Sequence, residues 1–442
     1  MIPRTFLLMA AGFLLLSTGL GAAEFKLEVK EFQLDNGLKI MLLENHSAPV
    51  ITYYTFFKVG SRNERPGITG ISHVHEHMMF NGAKKYGPKM FDLMLESNGG
   101  YSNASTSNNV TDYYEDFSSS ILELVCDLES DRMGYLAFDP EMLKSELGVV
   151  KEERLVSTDN DNGGLIQEEL FALAFMAHPY SWPVIGWMAD LNNITREDCV
   201  NYFKTYYAPN NATVVIVGDF NSDQAMQLMT KYFKGIPSGP LPAKVVPDEP
   251  VQRGPRRVLI EKQTQYPHFT RGYHIGDKDS PDRFALDVIE NVLASGESCR
   301  LYQTLVNDLQ ISIGLFGGYE VAFDPFLFYF YVAGVPGIDY QRLEQAFDSV
   351  MTNFVAAGPT DEELNRAKNS LIANFYKGYK TNNGTARKIG FYHTFYGDWR
   401  VMYQYVDNIR KVTAQEVKDA AARYFTRANS TTAVLIPEGG AL

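Results

Sequence analysis

Three of the eight histidines in this 442-residue chain fall within five residues, in the segment Gly70-Ile-Ser-His73-Val-His75-Glu76-His77-Met-Met-Phe80. On a helix of 3.6 residues per turn, His73 and His77 stand one turn apart on one face, with Glu76 beside them. Two imidazoles and a carboxylate therefore converge on one point. Each imidazole can offer a neutral nitrogen to zinc at about 2.0 to 2.1 Å, which leaves Glu76 free to take a proton from an activated water molecule. The order is His-x-x-Glu-His. The commoner zinc-peptidase order His-Glu-x-x-His fails, because reading from His75 the last histidine would have to be Met79. His75 projects from the other side of the helix and is expected to pack or to support rather than bind.

A catalytic zinc takes three protein ligands and keeps one position open for water. The best candidate for the third lies in Lys144-Ser-Glu146-Leu-Gly-Val-Val-Lys-Glu152-Glu153-Arg154. There Glu146 and Glu153 stand two turns apart on one helix face, while Glu152 points about 100° away. Glu153 could bind the metal while Glu146 accepts the spare N–H of a ligating histidine and fixes its tautomer. On spacing alone, a solvated acidic helix face is the more economical reading of these two residues. His46, His178, His268, His274 and His393 have no partner at ligand spacing and are expected to be hydrogen-bonded polar residues. A closed structural zinc site finds no fourth cysteine or histidine at a suitable distance along the chain.

The elements that must position these residues are arranged in two halves. Residues 1–23 carry Arg4, an apolar run from Phe6 to Leu16, and small residues up to Ala23, the pattern of a secretory signal peptide cleaved near Ala23. The apolar run is shorter than the roughly 20 residues of a spanning helix, so export to a periplasm without a membrane anchor is expected. An N-terminal domain (24–234) and a C-terminal domain (256–442) flank a segment, 235–255, that holds six prolines and reads as an extended linker. Ile194 to Val217 aligns without a gap on Val412 to Leu435 at a constant offset of 218 residues, matching Thr195 with Thr413, Tyr206 with Tyr424, Asn211 with Asn429 and Thr213 with Thr431. Each block reads as a capped helix followed by a β-branched strand, so the chain is expected to hold two copies of one fold. The mixture of alternating strands and helices suits an α+β layer, with helices packed on a largely antiparallel sheet. The corresponding helix of the second copy, near Asp282 to Leu293, contains no histidine.

Cys126, Cys199 and Cys299 are odd in number and far apart, and read as buried free thiols rather than a disulfide framework. The formal charge of −13, with no basic stripe, argues against a nucleic-acid partner.

Taken together, Leu34-Asp-Asn-Gly-Leu-Lys, Val59-Gly-Ser-Arg-Asn-Glu64, His73-x-x-Glu76-His77-Met-Met-Phe80-Asn-Gly82, Asn103-Ala104-Ser-Thr106, Asp131-Arg132-Met133, Glu146 to Glu153, His178-Pro-Tyr180 and Tyr207-Ala-Pro-Asn-Asn-Ala-Thr are similar to the pitrilysin and mitochondrial processing peptidase family of inverzincins. The resemblance spans nearly the whole chain beyond Ala23. It implies a zinc endopeptidase with one Zn2+ per chain, held by His73, His77 and Glu153, with Glu76 as general base and Glu146 orienting a histidine. The choice of Glu153 over Glu152 rests in part on the family's spacing. The resemblance also implies two homologous α+β halves forming half of a clam-shaped chamber, and an extended peptide substrate added as a strand beside Asn103, Ala104 and Thr106.

One departure bears on partners. Family members that complete the site within one chain carry, in the second half, an Arg and a Tyr seven residues later, which stabilise the oxyanion and hold substrate. Here Val306 and Ile313 occupy those places, and Arg300 and Tyr302 have the wrong spacing. Losing such donors lowers rates about 100 to 1,000 fold. A homologous subunit without the zinc motif is therefore the expected partner in a heterodimer; a homodimer is the lesser reading. The competing reading of the chain as a whole is a non-catalytic or weakly active binding or assembly subunit, against which the intact His73, Glu76, His77 and Glu153 argue.

Overall fold

The computed structural model describes residues 26–245 and 248–439; the expected signal peptide at 1–23 lies outside them, as do two residues of the expected linker. Strands β1 (Lys30–Gln33), β2 (Lys39–Glu44), β3 (Val50–Phe57), β4 (Tyr101–Thr106), β5 (Thr111–Ser118) and β6 (Ala212–Gly218) form one sheet in the order β1-β2-β6-β3-β5-β4. Strands β7 (Arg256–Lys262), β8 (His268–His274), β9 (Ser312–Tyr319), β10 (Leu327–Gly334) and β11 (Ser430–Pro437) form the second in the order β7-β11-β8-β10-β9. Without β1 the two orders are one. The directions agree as well: β2 runs parallel to β6 and β7 to β11, and every other pair is antiparallel. Both β6 and β11 are buried on both faces, which is why each reads as a near-continuous apolar run rather than an alternation.

The 218-residue repeat survives in individual hydrogen bonds. Thr195 caps the helix Arg196–Tyr206 in a capping box with Asp198, and Thr413 caps Ala414–Tyr424 in the same way with Glu416. Asn211 Nδ2 donates to the Tyr206 carbonyl at 2.8 Å, and Asn429 Nδ2 to the Tyr424 carbonyl at 2.8 Å. Thr213 pairs with Lys39 across the parallel strands as Thr431 pairs with Arg256. The fold is α+β, built from two equivalent halves.

Helices α1 (Ile71–Met78), α2 (Met90–Ser97), α3 (Leu122–Tyr135), α4 (Pro140–Arg154) and α5 (Asn162–Ala174) belong by sequence to the first half. Val74 and Met78 of α1 and Val125 and Leu128 of α3 bury against Ile40 and Tyr53 of its sheet. In the second half, Leu286, Ile289 and Leu293 of the helix Arg283–Ala294 bury against Phe269, Phe328 and Phe330.

Each sheet has a second face, and the halves exchange helices to cover it. Ile166, Leu170 and Ala174 of α5 pack on Leu327, Ala433 and Leu435 of the second sheet. In return, Ala386 and Ile389 of the helix Asn382–Tyr396 pack on Tyr54, Phe56 and Val215 of the first. That helix comes so close that a Cβ on Gly390 would fall 1.9 Å from the Phe56 ring.

Between Ile236 and Arg256 the described residues form no helix or strand, yet they are tied to both halves. Gly239 exchanges two hydrogen bonds with the Asn210 side chain (2.8 and 3.1 Å), and Gln252 Nε2 donates to the Ser430 carbonyl at 2.7 Å. No helix among the described residues is long and apolar enough to cross a membrane.

Candidate metal centre

Helix α1 begins at Gly70, whose φ of 88° lies in the left-handed region that glycine adopts without strain. First-turn N–H groups need acceptors from outside the helix, and the buried Glu64 supplies them: its two carboxyl oxygens accept from Gly70 N at 2.7 Å and Ser72 N at 2.8 Å. Burial nonetheless pushes this carboxyl up to about 8. With its start fixed, α1 buries Val74 and Met78 and turns His73 and His77 together, their ring centres 4.8 Å apart and their planes at 80°.

Glu153, one residue before the end of α4, meets both rings. Its Oε1 lies 3.8 Å from His73 Nε2 and its Oε2 lies 3.5 Å from His77 Nε2. The ligand atoms of the three residues all lie within 4.8 Å of one another. Two donors at opposite ends of a tetrahedral edge with 2.0 to 2.1 Å bonds are about 3.3 Å apart, so the carboxylate sits within about half an ångström of zinc spacing from each ring. From the same face of α4, Glu146 Oε2 approaches His77 Nδ1 at 3.2 Å, a contact by which a carboxylate can fix the orientation of an imidazole. His73 Nδ1 is buried with no hydrogen-bond partner among the described residues.

Burial, reinforced by His77, lowers His73 to about 4, so this imidazole is neutral, as a ligand must be. Burial works the same way on His77 but is outweighed by the Glu153 and Glu146 carboxylates, which raise it. Glu153 is lowered by its bond to His77. Two imidazoles and a carboxylate form a donor set suited to zinc.

Glu76 is raised by burial, with the Thr106 hydroxyl pulling partly against it. It faces two cavities that flank α1. One, of about 460 Å³, is lined by His73, Glu76, Glu153, Ala104 and Thr106, with an apolar wall that includes Phe171, Trp182 and Ile185. The other, of about 550 Å³, is lined by Glu76, His77, Glu146, Asn103 and Ala104. Strand β4 borders both and is the free edge of its sheet. Ala104 N–H donates to the Asn103 side chain at 2.8 Å and so points off that edge rather than into the ladder.

The structure thus gathers His73, Glu76, His77, Glu146, Glu153, Ala104 and Thr106 around one point. Asn103 is on the strand, but its exposed side chain donates to the Tyr101 hydroxyl at 3.2 Å. His75 lies apart from the centre. Fully buried, it sits 2.7 Å from the Ile71 carbonyl and 3.0 Å from that of Cys199 and stacks on Tyr207, and burial lowers it to about 4. The other histidines are held by polar partners, such as Asp219 for His46 and the Tyr331 hydroxyl for His268, except His393, whose two nitrogens have no hydrogen bond among the described residues. All three cysteines are buried and free.

Ile313, on edge strand β9, is 52% exposed, and Val306 lies in the short helical segment Gln303–Asp308 before it. Arg300 takes no part in the centre: both its Nε and Nη2 are bound at 2.6 Å by the Glu363 carboxylate.

Residues 39–186 match the family described as Insulinase (Peptidase family M16), and residues 193–371 match the Peptidase M16 inactive domain. The zinc protease PqqE of Helicobacter pylori is 30% identical over 411 residues, which cover 91% of this chain and 92% of that protein. This chain belongs to the M16 peptidase family. The probable mitochondrial-processing peptidase subunit beta of Arabidopsis thaliana is a further M16 relative, 25% identical over 90% of this chain and 76% of its own length. Among solved structures, a protease from Helicobacter pylori superposes with a TM-score of 0.90 at 29% identity, covering 93% of this chain and 100% of its own. Zinc proteases among the relatives make peptide hydrolysis the class of activity the M16 family supports. The inactive-domain match takes in the helix Arg283–Ala294, which stands in the place of α1 and carries no histidine.

Two residues that shape this centre stand in segments quoted above but receive no role from spacing. Glu64 caps α1 across a loop, and Arg154, next to Glu153, anchors α4. Neither has a telling spacing, because both act on segments brought near only by the fold.

Proposed function

We propose that this chain is a zinc-dependent endopeptidase acting on peptides or unfolded segments. The observation that carries the reading is the convergence of His73, His77 and Glu153 with Glu76 beside them, against the free edge of β4. Zinc held by those three residues would act as a Lewis acid on a peptide carbonyl and acidify a water molecule. Glu76, half-buried and raised in pKa, is placed to take the proton from water and to return it to the leaving amine. An extended peptide would pair with β4, exchanging the Asn103 side chain on Ala104 N–H for a substrate carbonyl, with Thr106 facing the scissile region. The test is Glu76→Gln, which should keep zinc binding and lose cleavage by at least about 100 fold. Cleavage at the wild-type rate would sink the assignment.

The oxyanion donors would come from elsewhere. Val306 and Ile313 have no side-chain donor, and Arg300 is committed to Glu363. A homologous subunit lacking the zinc motif but carrying the Arg and Tyr is the partner this implies, in a periplasm reached through the signal peptide. The same absence supports a second reading, in which the chain by itself is a weakly active binding subunit. Activity of the chain alone, compared with activity after adding the candidate partner, separates the two: full activity alone would remove the need for a heterodimer.

A further inference from the structure

The third ligand candidate is followed directly by a buried cation. Arg154 is 5% exposed, and its Nη atoms reach three segments. Nη1 donates to Glu168 Oε2 at 2.7 Å and to the Gly186 carbonyl at 2.8 Å. Nη2 donates to Glu168 Oε1 at 2.9 Å and faces Asp159 Oδ1 at 3.2 Å. Three hydrogen bonds and one ion pair thus hold the two Nη groups of one guanidinium, while Nε is buried without a hydrogen-bond partner among the described residues.

Two of those partners lead back to the centre by separate routes. Gly186 lies backbone to backbone against Gly70, the residue that starts α1. A Cβ on Gly186 would fall 2.3 Å from the Thr69 carbonyl oxygen, and one on Gly70 would fall 2.5 Å from that of Ile185. Both glycines have positive φ, 84° and 88°. The loop that receives the Arg154 bond is therefore pressed onto the start of the helix that carries His73 and His77. Glu168 lies on α5, whose Leu170 is seated on the second sheet.

We propose that Arg154 is a positioning residue that sets Glu153 against His73 and His77, with Gly186 and Glu168 as its fixed points. The proposal rests on the metal reading above and adds that the third ligand is registered both to the histidine helix and to the second half of the chain. Arginine suits this role because its planar fork holds Glu168 at two points and still reaches Gly186 and Asp159. Lysine, a point charge with three donors, cannot reproduce that geometry.

Zinc affinity by chelator competition and the visible spectrum of the Co2+-loaded form, each on protein shown to be folded by circular dichroism, test this in the full chain. Arg154→Lys and Glu168→Gln are expected to bind zinc about 10 to 100 fold more weakly, as for other groups that orient ligands, and to change the Co2+ bands. Leu170→Ala, which touches no ligand and loosens α5 on the second sheet, should weaken binding by a smaller factor. A merely structural Arg154 would lower the melting temperature and leave both readouts alone; wild-type affinity and an unchanged Co2+ spectrum in folded Arg154→Lys and Glu168→Gln would overturn the proposal. Should neither fold, unchanged affinity in Leu170→Ala overturns it. If the wild-type chain itself binds no zinc, the metal reading fails instead.

Discussion

Glu146 holds His77 from behind: its Oε2 lies 3.2 Å from His77 Nδ1 and leaves Nε2 turned toward Glu153. Removing that carboxylate frees the ring to rotate and lowers its basicity as a ligand. Glu146→Ala should weaken zinc binding about 10 to 100 fold, and Glu146→Gln, which keeps an acceptor, should fall between it and wild type. Chelator competition measures both; equal affinity in all three proteins would show that Glu146 does not act on His77.

Strand addition at β4 makes a prediction that separates substrate binding from metal binding. The Ala104 N–H points off the edge, so proline there removes a substrate donor without removing a ladder bond. Ala104→Pro should raise KM about 3 to 10 fold, the worth of one hydrogen bond, with zinc content and melting temperature close to wild type. A variant whose KM stays unchanged while it remains folded would place the substrate elsewhere.

Between α3 and β5 lies a buried charge cluster. Arg132 Nη2 binds Glu115 at 2.7 Å and also pairs with Glu129, while the rings of Phe91 and Tyr113 lie 4.2 and 4.8 Å from its guanidinium carbon. Burial, with the Glu129 charge adding to it, pushes Glu115 well above the usual carboxylate range. Arg132→Met would leave two buried carboxyls without a cation and should destabilise the chain by about 3 to 5 kcal/mol. Urea unfolding at pH 7 reads this directly; a loss below about 1 kcal/mol would mean that water reaches the cluster.

His393 gives a pH dependence of definite sign. Burial lowers it to about 4, against 6.5 for an ordinary imidazole. Between those values the unfolded chain binds the proton and the folded chain does not, so stability is intact above pH 6.5 and is lost as the pH falls toward 4. His393→Leu removes this source of acid sensitivity. In melts of metal-free protein at about pH 7, 6 and 5, the variant should gain on wild type as the pH falls, with no change in the difference above about pH 7. A constant difference across the series would show that His393 does not titrate in this window.

What could be read in the chain was whatever repeats locally. The His-x-x-Glu-His spacing and the seven-position step from Glu146 to Glu153 set directions on single helices, and the structure turns those side chains toward one another. The offset of 218 residues finds its counterpart in the paired caps of Thr195 and Thr413. What could not be read depends on which segments meet. Glu64 reaches α1 only because the loop after it folds back, and Arg154 reaches Gly186 from 32 positions away. That Ile166 and Leu170 of α5 bury against the sheet of the other half depends on the fold, not on any local spacing. His393 shows packing overriding chemistry: a residue expected to hold a hydrogen bond is buried without one among the described residues.

The reciprocal placement of α5 and the helix Asn382–Tyr396 bears on how such a chain arises. A single copy of the repeat, with its sheet open on one side, could have closed that side by trading a helix with a twin, as domain-swapped dimers do. Joining the twins through the segment before Arg256 preserves the trade within one molecule. The duplicated gene then no longer encodes two separable modules: removing either copy strips a layer from the survivor. The copy without histidines in its equivalent of α1 still supplies the layer that closes the sheet behind the histidine helix.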